Sequence, residues 1–247
     1  MPHFFISTSD VKHDIIRVSD KANFHHIVKV LRTKIGETLL LVDENQTQYK
    51  VLVKNIDSKS ITTKVVEISK SNHTLGLELY LAQCVLKTDA QNFVIQKATE
   101  LGIKGICPIT SDNSVIKESV VHAKIDKWQK IANEAVKQCE RTDFPIILPP
   151  CSLKDILEDK NYDIKIACVE REQVQTLKAC LKNIKTDKNT KVLVLIGPEG
   201  GFSANEFELL KHTNINRVSL GNLILRAETA VIAALSNTIY ELEHDNE

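Results

Sequence analysis

The chain of 247 residues has little of what marks disulfide-rich, metal-binding or membrane proteins. Its six cysteines form no C-x-x-C pair, and several stand in apolar runs, which indicates buried reduced thiols without metal or disulfide roles. No apolar stretch approaches the roughly 20 residues that a membrane-spanning helix needs. Asp10, Lys12 and Asp14 stand where a signal peptide would need its hydrophobic region. We therefore expect a cytoplasmic protein without a metal or a membrane partner.

The sequence also lacks a net charge, with 32 Lys and Arg against 32 Asp and Glu. The strongly basic composition of many nucleic-acid-binding proteins is therefore missing. The first 70 residues carry 11 basic against 8 acidic side chains, and this small excess is consistent with RNA binding without establishing it. Charge alone leaves the partner open.

Two patterns of secondary structure divide the chain. Three closely spaced β-rich runs in the first part predict a small antiparallel barrel. From Leu77 onward strands alternate with helices, which is typical of an α/β domain with a mostly parallel sheet. The polar segment 69–74 is the expected linker. We predict one domain over residues 1–70 and a second over residues 71–247.

Apolar residues at helical intervals predict helices over residues 21–32, 119–139 and 173–184. The first should bury one face that includes Leu31. Trp128 of the second is expected in the core and not as a base-stacking platform, because it shares the apolar face.

A strand followed by a glycine loop stands at residues 192–201. The first five residues are apolar and mostly β-branched or leucine, which predicts a strand buried on both faces. Gly197, Gly200 and Gly201 then allow the main chain to turn sharply and approach a ligand. A serine and a glutamate at capping-box spacing predict a helix from about Ala204. This arrangement is typical of ligand sites in α/β proteins, because the crevice lies at the carboxyl ends of the strands.

A second, less usual loop follows at residues 217–230. A short strand, predicted over residues 217–220, leads into the turn formers Gly221 and Asn222. The next residues, 223–225, are apolar where a loop is expected, and such a loop needs an apolar cover. The alanine-rich continuation predicts a closely packing helix, either in the core or at a subunit interface.

Residues 197–201 read Gly-Pro-Glu-Gly-Gly, and residues 225–229 read Leu-Arg-Ala-Glu-Thr. Both resemble the paired signatures of the RsmE-type 16S ribosomal RNA (uracil-N3)-methyltransferases of the SPOUT class. Segments 25–32, 96–102 and 138–141 extend the likeness over nearly the whole chain. The resemblance implies an α/β trefoil-knot domain that binds S-adenosyl-L-methionine, a PUA-like RNA-binding β-barrel before it, and a homodimer. The implied partner is 16S rRNA within the small ribosomal subunit.

The resemblance also assigns roles to residues. Donor recognition is expected from backbone and apolar groups of both loops, at Leu195, Ile196, Gly197, Glu199, Gly200, Gly201, Leu220, Gly221, Asn222, Ile224 and Leu225. Uracil N3 must lose its proton while the flanking carbonyl oxygens gain negative charge. The expected catalytic residues are therefore Arg226, Glu228 and Glu199. The expected RNA contacts are His25, Lys29, Arg32, Arg141 and Arg226.

Structural explanations stay open for these charged residues. Glu228 stands in the first turn of a helix, where negative charge is favourable in any case. Glu199 could simply fix the glycine loop, and Arg226 could form a structural ion pair with Glu228. Arg141 stands near the end of a helix, where a cation is favourable. A solvated helix face explains the basic residues of the first domain equally well.

Two departures from the family pattern concern the RNA target more than the donor. Many members carry an arginine where this chain has Leu223, and Ser-Glu-Arg where residues 111–113 read Ser-Asp-Asn. A methyltransferase of the same class with another RNA target, and a non-catalytic RNA-binding relative, therefore stay open. A nucleotide-dependent oxidoreductase is disfavoured, because the Rossmann spacing of glycines is absent.

Overall fold

The computed structural model describes residues 3–70, 75, 77–114, 116, 118–139, 141–170, 174–187 and 189–243. The chain divides into two compact units. The first comprises Met1–Thr74 together with Val136–Asp143, and the second comprises Leu75–Ala135 and Phe144–Glu247. Most of the expected linker, residues 71–74, lies outside the described residues.

The N-terminal unit is built on a six-stranded, mostly antiparallel sheet with the strand order β1-β4-β5-β6-β3-β2. Among the described strands of this sheet, β1 and β4 form the one parallel pair. A buried cluster of aliphatic and aromatic side chains, which includes Ile16, Leu41 and Val51, forms its core. The strands are β1 (His3–Phe5), β2 (Val11–Lys12), β3 (Ile15–Val18), β4 (Thr38–Val42), β5 (Thr47–Ile56) and β6 (Ile61–Lys70).

The helix predicted over residues 21–32 is shorter than expected. Helix α1 spans Lys21–His25, and a wider π-helical turn, His26–Val30, follows it. In this turn the amide of Leu31 donates to the carbonyl of His26, five residues earlier. Because the extra residue rotates the following side chains around the axis, Leu31 is 42% exposed. The prediction that Leu31 is part of the core face is therefore wrong.

The second unit contains a seven-stranded sheet in which every strand pair is parallel, as the alternation of strands and helices predicts. The strand order is β10-β8-β7-β12-β11-β13, and β9 pairs with β8. The strands are β7 (Glu78–Cys84), β8 (Gly105–Thr110), β9 (Ile146–Ile147), β10 (Cys151–Ser152), β11 (Ile164–Cys168), β12 (Lys191–Ile196) and β13 (Asn216–Val218). The trefoil knot that the resemblance implies stays a prediction.

Helices accompany the strands of this sheet. They are α2 (Thr88–Glu100), α3 (Glu118–His122), α4 (Ile125–Gln138), α5 (Leu153–Glu158), α6 (Leu177–Leu181), α7 (Ala204–His212) and α8 (Ala227–Leu242). The long helix predicted over residues 119–139 is interrupted between α3 and α4, where the amide of Lys124 closes a turn on the carbonyl of Val121. The helix predicted over residues 173–184 reduces to α6 in the described part of this range.

Hydrophobic side chains cover both faces of the parallel sheet. Alternate residues of β12 enter different clusters, with Val192 and Val194 in one and Leu193 and Leu195 in the other. The prediction of a strand buried on both faces is confirmed. Trp128 of α4 is 1% exposed and belongs to the first cluster, so its predicted core position is also confirmed.

Candidate active site

Three neighbouring strands, β11, β12 and β13, end at the same level of the sheet. Cys168, the last residue of β11, is the register partner of Ile196 in β12 and of Val218 in β13. The loops that leave these strands therefore start side by side, at the edge where parallel sheets bind ligands. They enclose a cavity of about 670 Å³. Its lining consists of residues 168–170, 196–202, 219–228 and 230.

The glycine loop after β12 is a tight turn. The amide of Gly201 donates to the carbonyl of Pro198 at 2.9 Å, and Gly201 has a φ of 73°, which favours glycine. The Phe202 ring folds back against Gly197, so a Cβ at residue 197 would lie only 3.0 Å from that ring. Ser203 then caps α7, which begins at Ala204 as predicted.

The second loop turns at Gly221, whose φ is 131°. Its apolar side chains are poorly covered: Leu223 is 82% exposed and Ile224 is 62% exposed, while Leu225 is partly buried. Helix α8 begins directly after this loop, with Arg226 at its N-cap. The apolar loop and the first turn of α8 therefore form one wall of the cavity.

Among the residues that the structure describes, four charged side chains line the cavity. Three are carboxylates, Glu170, Glu199 and Glu228, and the fourth is the guanidinium of Arg226. An oxygen of Glu199 lies 3.6 Å from Nζ of Lys87, which precedes α2. In the part of the chain that the structure describes, no ion pair joins Arg226 to Glu228. The structural ion pair that could have explained these two residues is therefore not formed.

Comparison with known proteins assigns the family. Residues 73–239 match the family model of an RNA methyltransferase domain, and residues 18–66 match that of an RNA methyltransferase PUA domain. Ribosomal RNA small subunit methyltransferase E of Bacillus subtilis (strain 168) is 30% identical over 224 residues, which cover 89% of this chain and 88% of the relative. The enzyme of the same name from Mesomycoplasma hyopneumoniae (strain 232) is 31% identical over 242 residues, or 97% and 99% of the two chains. The chain belongs to the ribosomal RNA small subunit methyltransferase E family.

Solved structures share the fold of this methyltransferase. A methyltransferase of Legionella pneumophila in complex with SAM superposes with a TM-score of 0.84 at 24% identity, with 98% of each chain covered. Ribosomal RNA small subunit methyltransferase E of Neisseria gonorrhoeae, bound to S-adenosyl methionine, has a TM-score of 0.82 at 22% identity over 98% of each chain. The predicted α/β fold with a small N-terminal PUA domain is confirmed.

With one exception, the residues predicted for donor recognition lie together at the cavity of this methyltransferase. Ten of the eleven line the cavity. Leu195 does not: its side chain is fully buried in the core cluster on one face of the sheet. Because side chains alternate along a strand, Leu195 and Ile196 point to opposite faces, and only Ile196 reaches the cavity.

The residues predicted to contact RNA lie in different surroundings. His25, Lys29 and Arg32 are exposed on the N-terminal unit, and Arg226 is exposed at the cavity. Arg141 is only 6% exposed and forms a two-pronged ion pair with Asp143, with nitrogen–oxygen distances of 3.1 and 3.0 Å. This burial favours a structural role for Arg141, which the sequence left open.

Sequence reasoning missed Glu170, whose carboxylate lines the cavity. The residue follows β11, and its Oε1 would lie 3.1 Å from a Cβ at Gly201. The available signal was its position directly after a buried strand, where a parallel sheet places its ligand-binding loops. No glycine loop marks this position, so the sequence offered only the strand itself.

One thiol, that of Cys168, lies in the lining of the cavity. Burial raises the pKa of Cys168 to about 12, so the thiol stays neutral near pH 7.

No cluster of three or more histidine, cysteine, aspartate or glutamate side chains within the described residues is placed to hold a metal ion. Within the same residues, no helix is both long and apolar enough to span a membrane.

Proposed function

We propose that this methyltransferase transfers the methyl group of S-adenosyl-L-methionine to N3 of a specific uridine in 16S rRNA of the small ribosomal subunit. One observation carries the proposal. The two loops with the family signatures, at residues 197–201 and 225–229, line one cavity at the ends of β11, β12 and β13. The substrate and the atom follow from the family resemblance. With such a substrate, the proposal includes a cytoplasmic location.

The lining of the cavity offers groups that suit the donor. Gly197 and Gly200 carry no side chain, so their backbone groups can contact the adenosine part, while Gly201 turns the loop. Ile196 and Leu225 offer apolar contact to a purine ring. Among the described residues of the lining, three carboxylates stand against one arginine, and this negative balance suits a cationic ligand. When bound, the donor supplies an electrophilic methyl group on a sulfonium.

Arg226, Glu228 and Glu199 act on the uridine in this proposal. The guanidinium of Arg226 stabilises negative charge on a carbonyl oxygen beside N3. Glu228 accepts the N3 proton, since its carboxylate lies at the cavity and has no ion pair in the part of the chain that the structure describes. Glu199 is the second candidate acceptor, and its carboxylate also meets Lys87, which supports a role in fixing the loop.

The N-terminal unit contributes RNA binding in this proposal. His25, Lys29 and Arg32 are exposed and cationic or able to become so, which fits contacts to RNA phosphates. The proposed boundary between the two domains stays at residue 70. An RNA contact by Arg141 stays a hypothesis, because the burial of this side chain favours a structural role in the ion pair with Asp143.

We further propose a homodimer. Leu223 and Ile224 of the second loop and Tyr240 of α8, which is 86% exposed, give the chain apolar surface that a second copy could cover. The small residues of α8 do not add to this surface, because Ala234 is buried in the core and Ala227 and Ala230 pack against it.

Donor binding and methyl transfer test the proposed function directly. The purified chain is titrated with S-adenosyl-L-methionine in a calorimeter, and labelled donor is then offered to small ribosomal subunits that lack their own N3-methyluridine. We expect saturable binding and label at N3 of one uridine. Label at another position would indicate a different RNA target, and binding without transfer would indicate a non-catalytic relative. Absence of binding by folded protein would contradict the proposal.

Substitution of Gly201 should weaken donor binding through the backbone. An alanine at the φ of 73° costs about 1–2 kcal/mol in the left-handed region, and relief of this strain would change the loop. We expect Gly201→Ala to raise the donor Kd roughly tenfold, which corresponds to about 1.4 kcal/mol. Gly36→Ala is the matched control, because Gly36 has a φ of 92° and lies in the other unit. Equal donor Kd values for both variants, measured by calorimetry, would contradict the prediction.

A further inference from the structure

The loop after β8, residues 111–114, is bound to the glycine loop, residues 197–201, by side-chain hydrogen bonds. Asn113 donates from Nδ2 to the carbonyl of Gly201 at 2.9 Å. The Cβ of Asn113 also lies 3.3 Å from the place that a Cβ on Gly200 would occupy, so the two loops are in close contact. Asp112 accepts a hydrogen bond of 2.6 Å from the hydroxyl of Ser203. Neither Asp112 nor Asn113 lines the cavity.

The buried carboxylate of Glu206 joins the same two loops. It is 4% exposed, and one of its oxygens accepts from the amide of Asp112 at 3.0 Å. Its other oxygen accepts from the amide of Ser203 at 2.8 Å. Hydrogen bonds to an ionised group are stronger than neutral ones, so this carboxylate is a firm link between the loop after β8 and the start of α7.

We propose that Asp112 and Asn113 are positioning residues that hold the glycine loop in its donor-binding shape before the donor arrives. The inference rests on the proposed function, in which the glycine loop binds the donor. Three glycines give this loop many accessible conformations, and fixing each residue costs about 1 kcal/mol or more. The hydrogen bonds from Asn113 and to Asp112 already fix the loop when the protein folds. Donor binding therefore does not lose affinity by ordering the loop.

The proposal also explains what this chain does at a position where it departs from the family. Residues 112–113 read Asp-Asn, where the pattern implied by the family resemblance has Glu-Arg. An amide at residue 113 is short enough to bind the Gly201 carbonyl directly. In this protein the loop after β8 therefore acts on the donor site through the main chain of the glycine loop.

Calorimetric titration of the full chain with S-adenosyl-L-methionine tests the proposal. Asn113→Asp keeps the side-chain size but turns an oxygen towards the Gly201 carbonyl, and we expect a roughly tenfold weaker donor Kd. Asp112→Ala removes the acceptor for Ser203, and about a fivefold weaker Kd is expected. Asp112→Asn retains an oxygen that can accept from Ser203, so its Kd should stay within about twofold of the wild type.

Ser152→Ala is the matched control for a general loss of stability. Ser152 and Asp155 form a capping box at the start of α5, as Ser203 and Glu206 do at the start of α7. Neither Ser152 nor Asp155 lines the cavity. The control should cost about 1 kcal/mol in stability and leave the donor Kd unchanged. Hydrogen exchange of the amides at residue 197 and residues 199–203 should rise in Asn113→Asp and not in the control.

Steady-state transfer separates positioning from chemistry. At saturating donor, kcat of Asn113→Asp should stay near the wild-type value while KM for the donor rises. Donor Kd values and loop exchange equal to those of the wild type in both Asn113→Asp and Asp112→Ala would overturn the inference and leave the proposed function intact. No donor binding by the wild-type chain would overturn the proposed function, and the inference with it.

Discussion

Arg226→Ala is expected to lower methyl transfer by roughly 10²–10³-fold while the donor Kd changes by less than about threefold. The guanidinium lies at the cavity wall, exposed and without an ion pair in the described residues, so its removal leaves no buried partner uncompensated. In the proposed mechanism Arg226 acts only when negative charge develops on the uracil. The loss should therefore fall on the transfer step and not on donor binding.

Labelled methyl transfer to small subunits and calorimetry with the donor measure the two quantities separately. Arg226→Lys is the matched variant, because it retains the charge but not the planar fork of donors, and we expect an intermediate rate. The melting temperature should not move, since Arg226 caps α8 without a side-chain hydrogen bond. A collapse of donor affinity in Arg226→Ala would instead make Arg226 a donor-binding residue.

Local features of the fold could be predicted from the sequence because they depend on residues close in the chain. The alternation of Val192 to Leu195 between two hydrophobic clusters follows from strand geometry, and the start of α7 follows from the capping box at Ser203. Both glycine loops lie at one sheet edge because parallel strands align their carboxyl ends. These features needed no knowledge of the strand order.

Features that depend on distant contacts could not be predicted. The position of β12 between β7 and β11 is set by pairing along the whole sheet. The hydrogen bond from Ser203 to Asp112 joins residues 91 positions apart, so no local pattern marks it. Glu170 enters the cavity because its strand lies beside β12, and the burial of Arg141 depends on which groups surround it. The sequence could therefore name Arg141 but could not distinguish an RNA contact from an internal ion pair.

Arg141→Ala is expected to lower the free energy of unfolding by about 3 kcal/mol, because it removes a cationic partner of the buried carboxylate of Asp143. The side chains of Arg141 and Asp143 are 7% and 8% exposed, so water cannot replace the lost partner. Urea unfolding followed by circular dichroism measures the change. A loss below about 1 kcal/mol would be typical of a surface pair and would contradict the structural role.

A paired replacement separates this structural role from RNA binding. Arg141→Met combined with Asp143→Leu removes both charges together, and buried ion pairs replaced in this way often regain or exceed the original stability. We expect the double variant to recover most of the stability that Arg141→Ala loses. Its methyl transfer then decides between the two roles: a rate within about twofold of the wild type means that Arg141 supports only the fold. A drop of tenfold or more in a variant of restored stability would make Arg141 an RNA contact, because loss of folding could no longer account for the effect.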